Sequence, residues 1–339
     1  MNILVTGGAG FIGSHTAVAL VEAGFTPVIL DDFSNSQPSV LQGLRDILGH
    51  EPHCYAENCH NPDTLRRIFR EKNIGGVIHF AAFKAVGESM EQPLKYYDNN
   101  LGSLVALLQV MLEEGVPNLI FSSSCTVYGT PEQLPVTEET PVQPAASVYG
   151  NTKQIGEEIL HDTVRSVHGT AAALRVVSLR YFNPIGAHPS ARIGELPLGV
   201  PNNLVPFITQ SAAGLRPPLT VHGGDYDTPD GTGIRDYIHV MDLAEAHVAA
   251  MQLLLNKPET AYYDVFNVGT GQGHSVLELI RTFEEVSGQT LRYEIGPRRA
   301  GDVPAVYADV TKAAAQLGWL AHRSLREALE DAWRWQQGL

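Results

Sequence analysis

A glycine-rich turn near the N-terminus constrains the fold of this chain more than any other feature. Residues 2–6 form a short apolar run, residues 6–13 read TGGAGFIG, and a helical pattern follows over residues 11–23. The amides at a helix N-terminus attract anions, and glycine lets the backbone approach a phosphate closely. Because the cluster stands between a predicted strand and a predicted helix, it favours a dinucleotide site over an ordinary tight turn.

Asp31 supports this interpretation, because it ends the second predicted strand, 18 residues beyond Gly13. A carboxylate at that place accepts hydrogen bonds from a ribose hydroxyl and repels a 2′-phosphate. The sequence therefore predicts an NAD site rather than an NADP site.

Apolar runs rich in Val and Ile alternate with helix-period segments through the first half of the chain, which is typical of βαβ units. We predict strands over residues 2–6, 27–31, 52–56, 75–80, 118–122 and 173–179, and helices near residues 11–23, 38–48, 62–72, 93–114 and 147–168. Strands that are apolar on both faces are covered by helices on both sides. The predicted fold class is α/β, a doubly wound parallel sheet of the Rossmann type.

The texture of the sequence changes after about residue 182, where loops rich in Pro and Gly become common. Further helices are predicted near residues 203–215, 242–256, 275–287 and 324–337. We predict a cofactor-binding domain over residues 1–182 and a smaller mixed α/β lobe over residues 183–339. The boundary need not be clean, since the strand-like residues 262–268 could return to the main sheet.

Composition excludes several classes of protein. Of the 339 residues, 44% are hydrophobic and 18% charged, as in a folded protein. The net charge of -14 opposes broad binding to nucleic acid or to an anionic membrane. Three cysteines, the lack of a signal-peptide pattern at the N-terminus and the lack of an apolar run near 20 residues predict a soluble, cytoplasmic protein.

Tyr149 and Lys153 are four residues apart, so they share one face of the predicted helix over residues 147–168. This helix follows the fifth strand, whose carboxyl end carries Ser124, and ligands of parallel sheets bind outside that end. The alternative is an ordinary surface Tyr and Lys. Ionising a phenol near neutrality costs about 4 kcal/mol. An ammonium near 5 Å offsets about 3 kcal/mol of this cost, so the pair can act as a base.

The spacing Gly-x-x-Gly-x-x-Gly over residues 7–13, together with Ser124, Tyr149 and Lys153, resembles the extended short-chain dehydrogenase/reductase superfamily. Longer stretches resemble one of its families, the UDP-glucose 4-epimerases, over nearly the whole chain. They are residues 79–89, 96–100, 122–129, 180–189, 201–204, 230–240 and 297–302. The resemblance implies C4 epimerisation of UDP-galactose and UDP-glucose through a transient 4-keto sugar in galactose metabolism, with retained NAD and a homodimer.

The resemblance also implies site residues. Ser124, Tyr149 and Lys153 would be catalytic, and no metal is expected. Cofactor contacts are expected from Gly7, Gly10, Phe11, Ile12, Gly13, Asp31, Asn35, Ser36, Asn58, Cys59, Phe80, Ala81, Ala82, Lys84, Asn99, Ser124, Tyr149, Lys153 and Phe182. Contacts with the UDP-hexose are expected from Lys84, Ser124, Tyr149, Asn183, Asn203, Leu204, Thr220, His222, Arg235, Tyr237, Arg299, Asp302 and Val306. Arginine forks suit phosphate oxygens, although surface ion pairs are their more common fate.

Two positions depart from the family pattern. Asn58-Cys59 stands where the family usually has Asp and an aliphatic residue, and the Asn oxygen can still accept from the adenine amino group. Val306 stands where some members carry a bulky Tyr near the hexose, so an N-acetylated sugar could fit. Adjacent His53 and Cys54 point to opposite faces of a strand, which disfavours a zinc site there.

Three other functions remain open. A nucleotide-sugar 4,6-dehydratase carries an Asp-Glu pair after the Ser/Thr position, where this chain has Cys125 and Thr126. A nucleotide-sugar decarboxylase would use the same triad and is less readily excluded. A non-catalytic NAD-binding sensor would not need both Tyr149 and Lys153.

Overall fold

The structure is a computed structural model that describes residues 1–299 and 302–339. Its centre is a seven-stranded parallel sheet in the order β11-β6-β5-β4-β1-β2-β3. The strands are β1 (Asn2–Thr6), β2 (Thr26–Leu30), β3 (His53–Tyr55), β4 (Ile74–His79), β5 (Asn118–Ser124), β6 (Leu174–Tyr181) and β11 (Ala261–Val268). The strand order reverses between β1 and β4, and ligands bind at such a switch point in doubly wound sheets.

The helices of the described residues either cover the two faces of this sheet or pack together in the second half of the chain. They are α1 (Phe11–Glu22), α2 (Ser39–Leu48), α3 (Pro62–Lys72), α4 (Val86–Glu91), α5 (Pro93–Glu114), α6 (Val148–Val167), α7 (Leu204–Ala212), α8 (Val240–Leu255), α9 (Val276–Ser287), α10 (Thr311–Leu317) and α11 (Leu325–Gln337). Leu4 packs into the core shared with α3, α5 and α6, whereas its neighbours Ile3 and Val5 pack into the core shared with α1 and α8. The predicted α/β fold class, a Rossmann-type sheet apolar on both faces, is confirmed.

Short strands and the helices α7, α9 and α11 build the part of the second half that lies outside the main sheet and its covering helices. The strands are β7 (Asn183–Ile185), β8 (Leu219–His222), β9 (Ile234–Arg235), β10 (Tyr237–His239), β12 (His274–Ser275), β13 (Tyr293–Gly296) and β14 (Ala305–Val306). They form three small sheets, β10-β7, β12-β9-β14 and β13-β8. Helices α7, α9 and α11 enclose a separate core around Ile208, Phe283 and Leu329. The strand-like stretch near residue 262 lies in β11, beside β6 in the main sheet.

Local signals explain where several helices begin. The Ser147 hydroxyl accepts from the Gly150 amide at 3.1 Å and caps α6, the helix that carries Tyr149 and Lys153. Ser275 and Ser324 form capping boxes at the starts of α9 and α11. Within residues 1–299 and 302–339, no helix combines the length and apolar character that crossing a membrane requires.

Candidate functional site

The glycine loop lies at the switch point of the sheet, against the chain that follows β4. Gly7 has φ +68°, and a Cβ built on it would lie 2.8 Å from the Ala81 nitrogen. A Cβ on Gly13 would lie 2.3 Å from the Gly7 oxygen. No side chain caps the N-terminus of α1, so its first amides, which include Phe11 and Ile12, face the loop without a side-chain partner. This cradle fits a pyrophosphate, as NAD requires.

Asp31 follows β2 and is bound to the same loop. Its carboxylate accepts from the Ala9 amide at 2.9 Å, the Phe33 amide at 2.9 Å and the Ser36 hydroxyl at 2.8 Å. A carboxylate offers about four lone-pair sites, so about one remains for a ribose hydroxyl. The three donors orient the carboxylate toward the glycine loop, which suits the role predicted for Asp31 and Ser36. Asn35, predicted beside them, is exposed.

Asn58 and Cys59 follow β3. The Asn58 amide donates to an Asp32 oxygen at 2.9 Å, and its own oxygen accepts from the His60 amide at 2.7 Å. Burial raises the pKa of the Cys59 thiol to about 12, so this side chain stays neutral. The second lone pair of the Asn58 oxygen remains free for a donor, and an adenine contact there stays a prediction.

The residues predicted at the nicotinamide end follow β4 and lie on α5. Phe80, Ala81 and Ala82 are partly buried, and Asn99 donates to the Asn100 oxygen at 3.0 Å. Lys84 is exposed, and its Nζ lies 3.4 Å from Glu195 Oε1. The last predicted contact, Phe182, is buried beside Val306 in a small apolar cluster.

Ser124, Tyr149 and Lys153 come together at the carboxyl end of β5. Lys153 Nζ donates to the Ser122 carbonyl oxygen at 2.7 Å and lies 5.8 Å from the centre of the Tyr149 ring. A hydrogen bond from Ser124 acts to lower the Tyr149 pKa. The three side chains thus meet where the sheet opens toward the glycine loop.

Burial changes the acidity of this pair. It raises the pKa of Tyr149 to about 12, outweighing the hydrogen bond from Ser124. It lowers the pKa of Lys153 to about 8, against the attraction of Glu157. Near neutral pH Tyr149 is therefore a neutral phenol and Lys153 a cation, so these surroundings by themselves do not produce the tyrosinate expected from the sequence.

A buried ion pair lies behind Lys153. Glu157 Oε1 accepts from the Ser123 hydroxyl at 2.5 Å and from Arg180 Nε at 2.9 Å, and both charged side chains are less than a tenth exposed. Arg180 also donates to the Tyr128 hydroxyl at 3.1 Å. This pair was not predicted from the sequence, although Glu157 follows Lys153 by one helical turn on the same face.

In the second half of the chain, predicted substrate residues surround buried Asp236. Its carboxylate accepts from the Thr270 amide and hydroxyl, the Gly271 amide and the Ala308 amide, at 2.7 to 3.2 Å. Its carbonyl oxygen accepts from the Asn183 amide at 3.0 Å. Asp236 was not predicted, and it fixes the chain between Arg235 and Tyr237.

Arg235 lies in β9, directly opposite Val306 in β14. Its guanidinium is 3.5 Å from an Asp302 oxygen, and the Arg235 side chain is 17% exposed, so the fork is shielded but accessible. Tyr237 is buried, and burial raises the pKa of its hydroxyl. Arg235 is therefore a neighbour of both Asp302 and Val306.

Other predicted substrate residues lie on different elements, and the Arg299 carbonyl oxygen accepts from the Asp302 amide at 3.2 Å. Thr220 and His222 are on β8, where His222 Nδ1 lies 3.4 Å from the Pro297 oxygen in the loop that leads to exposed Arg299. Asn203 precedes α7 and donates to Glu195 at 2.5 Å, and Leu204 is the first residue of that helix.

The geometry gives little support to dehydration or to metal binding. A 3₁₀ helix, Cys125–Tyr128, follows Ser124, and burial raises the pKa of the Cys125 thiol to about 12, so no acidic group follows the serine there. Within the described part of the chain, one group of possible metal ligands lies together, Asp242, Glu245 and His322. The Arg323 guanidinium donates to both of its carboxylates, so a cation already occupies the place of an ion.

Comparison with known proteins shows which family this chain resembles. A family model described as GDP-mannose 4,6 dehydratase matches residues 4–332. The UDP-glucose 4-epimerase of Neisseria meningitidis serogroup A is 52% identical over 334 residues, 98% of this chain and 96% of that protein.

Two solved structures are similar along the whole chain. The UDP-glucose 4-epimerase of Bifidobacterium longum in complex with NAD+ and UDP has a TM-score of 0.94 and 45% identity, covering 100% of this chain and 98% of its own. The Stenotrophomonas maltophila enzyme with bound NAD and formylated UDP-arabinopyranose has a TM-score of 0.95 and 46% identity, with the same coverage.

Proposed function

The chain belongs to the UDP-glucose 4-epimerase family, and on that basis we propose that Ser124, Tyr149 and Lys153 carry the proton chemistry of its reaction. The reaction is NAD-dependent inversion of C4 in UDP-glucose and UDP-galactose. The observation that carries the proposed roles is the meeting of the three side chains at the carboxyl end of β5, beside the glycine cradle.

Each side chain has a definite task. NAD, when bound, supplies the acceptor and donor of the C4 hydride. Tyr149 takes the proton of the 4-hydroxyl and returns it, Ser124 hydrogen-bonds the reacting oxygen, and the Lys153 cation stabilises the phenolate. The Ser122 carbonyl keeps the Lys153 ammonium within 5.8 Å of the phenol ring.

The binding roles of the remaining predicted residues are also proposals. The glycine loop and Asp31 would hold the cofactor pyrophosphate and a ribose. Arg235 and Arg299 would hold the diphosphate of the substrate, which allows a chain with net charge -14 to bind an anionic ligand. Because the cofactor ends each cycle in its starting state, we expect NAD to stay bound between turnovers.

A direct test mixes the purified protein with UDP-galactose and measures the formation of UDP-glucose. The variant Tyr149→Phe should fold and retain NAD like the wild type while turnover falls at least a thousandfold, because the proton acceptor is lost. Near-normal turnover of this variant would remove Tyr149 from its role. Formation of a deoxysugar would favour the dehydratase. Release of CO2 and a UDP-pentose from a UDP-hexuronic acid, supplied in a parallel assay, would favour the decarboxylase.

We further propose that N-acetylated UDP-hexosamines are accepted. Val306 is small and lies between Arg235 and the apolar cluster around Val127 and Phe182. Turnover of UDP-N-acetylgalactosamine, measured beside UDP-galactose, tests this extension. A Val306→Tyr variant that still turns over UDP-galactose but no longer turns over UDP-N-acetylgalactosamine would support it.

Finally, we propose a homodimer in the cytoplasm. Leu94 and Val105 on α5 are 80% and 40% exposed, and Leu101 lies between them on the same helical face. Cys54, Cys59 and Cys125 are unpaired, which suits a reducing compartment. Light scattering of the wild type and of Val105→Glu tests the dimer, since a monomeric wild type would contradict it.

A further inference from the structure

Glu195 joins two residues that belong to different parts of the proposed site. Its Oε1 atom lies 3.4 Å from Lys84 Nζ, in the loop after β4, and accepts from Asn203 Nδ2 at 2.5 Å, just before α7. The Glu195 side chain is 12% exposed, whereas that of Lys84 is 47% exposed. One shielded carboxylate oxygen thus bridges the cofactor side and the substrate side.

The backbone holds this carboxylate in place. Trp335, on α11, donates from its indole nitrogen to the Glu195 carbonyl oxygen at 3.2 Å. A Cβ on Gly194 would lie 2.5 Å from the Trp335 ring, so glycine is needed for this close approach. Glu195 therefore starts from a fixed position, which lowers the entropy that its two contacts cost.

Within the described residues, Glu195 is the only side-chain partner of both Lys84 and Asn203. Asn203 precedes α7 but its side chain does not cap the helix, so the bond to Glu195 determines where its amide points. Lys84 is a long exposed cation whose freedom the carboxylate reduces. Since the ammonium and the carboxylate offset each other, the bridge adds no net charge beside an anionic ligand.

We propose that Glu195 is a positioning residue for the epimerase reaction: it holds Lys84 and Asn203 where they bind the UDP-hexose and the cofactor. This inference rests on the proposed function. Glu195 itself touches neither the reacting carbon nor its hydroxyl. Its removal should therefore weaken substrate binding more than it slows the chemical step.

Steady-state kinetics of the NAD-loaded enzyme test this split. Glu195→Ala should raise the KM for UDP-galactose about tenfold, as expected for one charge-assisted hydrogen bond, with kcat changed less than about threefold. The KM of Glu195→Gln should lie between those of the wild type and Glu195→Ala, because its amide oxygen can still accept from Asn203. Glu51→Ala, which removes an exposed ion pair with Arg45, is the matched control and should leave KM unchanged.

A double-mutant cycle distinguishes positioning from a loss of fold. Glu195→Ala and the double variant with Asn203→Ala should have KM values within about twofold of each other, because Asn203 has already lost its positioning partner in the single variant. Additive effects, or a Glu195→Ala variant whose KM is unchanged or lower, would overturn the proposal. A lower KM would mean that the carboxylate competes with the ligand.

Calorimetry with UDP separates this inference from the proposed function. If the wild type binds UDP but does not interconvert the sugars, the proposed function fails, while the Kd of UDP in the same variants still tests Glu195. The expected change is again about tenfold for Glu195→Ala, at unchanged NAD content. An unchanged Kd would refute the positioning role even in an active enzyme.

Discussion

Replacing Lys153 by Met should slow epimerisation at pH 7 about a hundredfold. The Tyr149 pKa of about 12 places its phenolate about 7 kcal/mol above the phenol at that pH. The Lys153 ammonium lies 5.8 Å from the phenol ring, which corresponds to about 3 kcal/mol of attraction at an effective dielectric near 20. At 1.4 kcal/mol for each factor of ten, losing this attraction costs about two decades in rate.

The pH dependence gives this prediction its sign. In Lys153→Met, Tyr149 remains mostly protonated below pH 12, so the phenolate fraction and the rate should rise tenfold per pH unit. In the wild type, Lys153 has a pKa of about 8 and loses its charge between pH 7 and 9. The lost attraction offsets the gain in phenolate, so the wild-type profile should be flatter than that of the variant.

The assay is the initial rate of UDP-glucose formation between pH 7 and 9, with enzyme matched for bound NAD. Lys72→Met, at the end of α3, serves as the control for removal of a lysine charge and should behave like the wild type. A loss smaller than threefold at pH 7, or a variant profile parallel to that of the wild type, would refute the reasoning.

Two further substitutions test the cofactor cradle and the buried ion pair. Gly13→Ala should lower the amount of NAD that copurifies at least tenfold, because its Cβ would lie 2.3 Å from the Gly7 oxygen, whereas Gly87→Ala has nothing within 4 Å and should not; equal NAD content after denaturing release would contradict the cradle. Glu157→Gln should lower the free energy of unfolding in urea by about 3 to 5 kcal/mol, because Arg180 is left buried without a counter-charge. Glu113→Gln, which breaks an exposed pair with Arg66, should lower the free energy of unfolding far less, and similar losses in both variants would argue against a special role for burial.

The main sheet was predictable because its signals are local. Most strands of the first half, such as β1 and β2, contain a continuous apolar run beside a helical pattern, and β1, α3 and α5 begin and end as predicted. By contrast, α4 has six residues and β9 two, which is too short for periodicity to be visible. Such elements are held by distant partners such as Asp236, which sequence spacing does not reveal.

The proximity of Tyr149 and Lys153 was also predictable, because one turn of α6 separates them. Glu195 was not, since its contact with Lys84 spans 111 residues of chain. The bond between Glu157 and Arg180 likewise joins a helix to a neighbouring strand. Sequence resemblance indicated the loops that carry the proposed binding residues, whereas the bridges between those loops become visible only in three dimensions.

The positive charges around Tyr149 bear on its proposed role as a base. Arg180 is compensated by Glu157, and Arg235 faces Asp302, so both charges are largely offset. Lys153 instead donates to the neutral Ser122 carbonyl, and its charge can act on the phenol. Even with Lys153 in place, burial keeps the Tyr149 pKa at about 12, which is about 7 kcal/mol from ionisation at pH 7. For the proposed role of Tyr149, further positive charge and hydrogen bonds must therefore come from the bound ligands, which would restrict proton abstraction to the loaded enzyme.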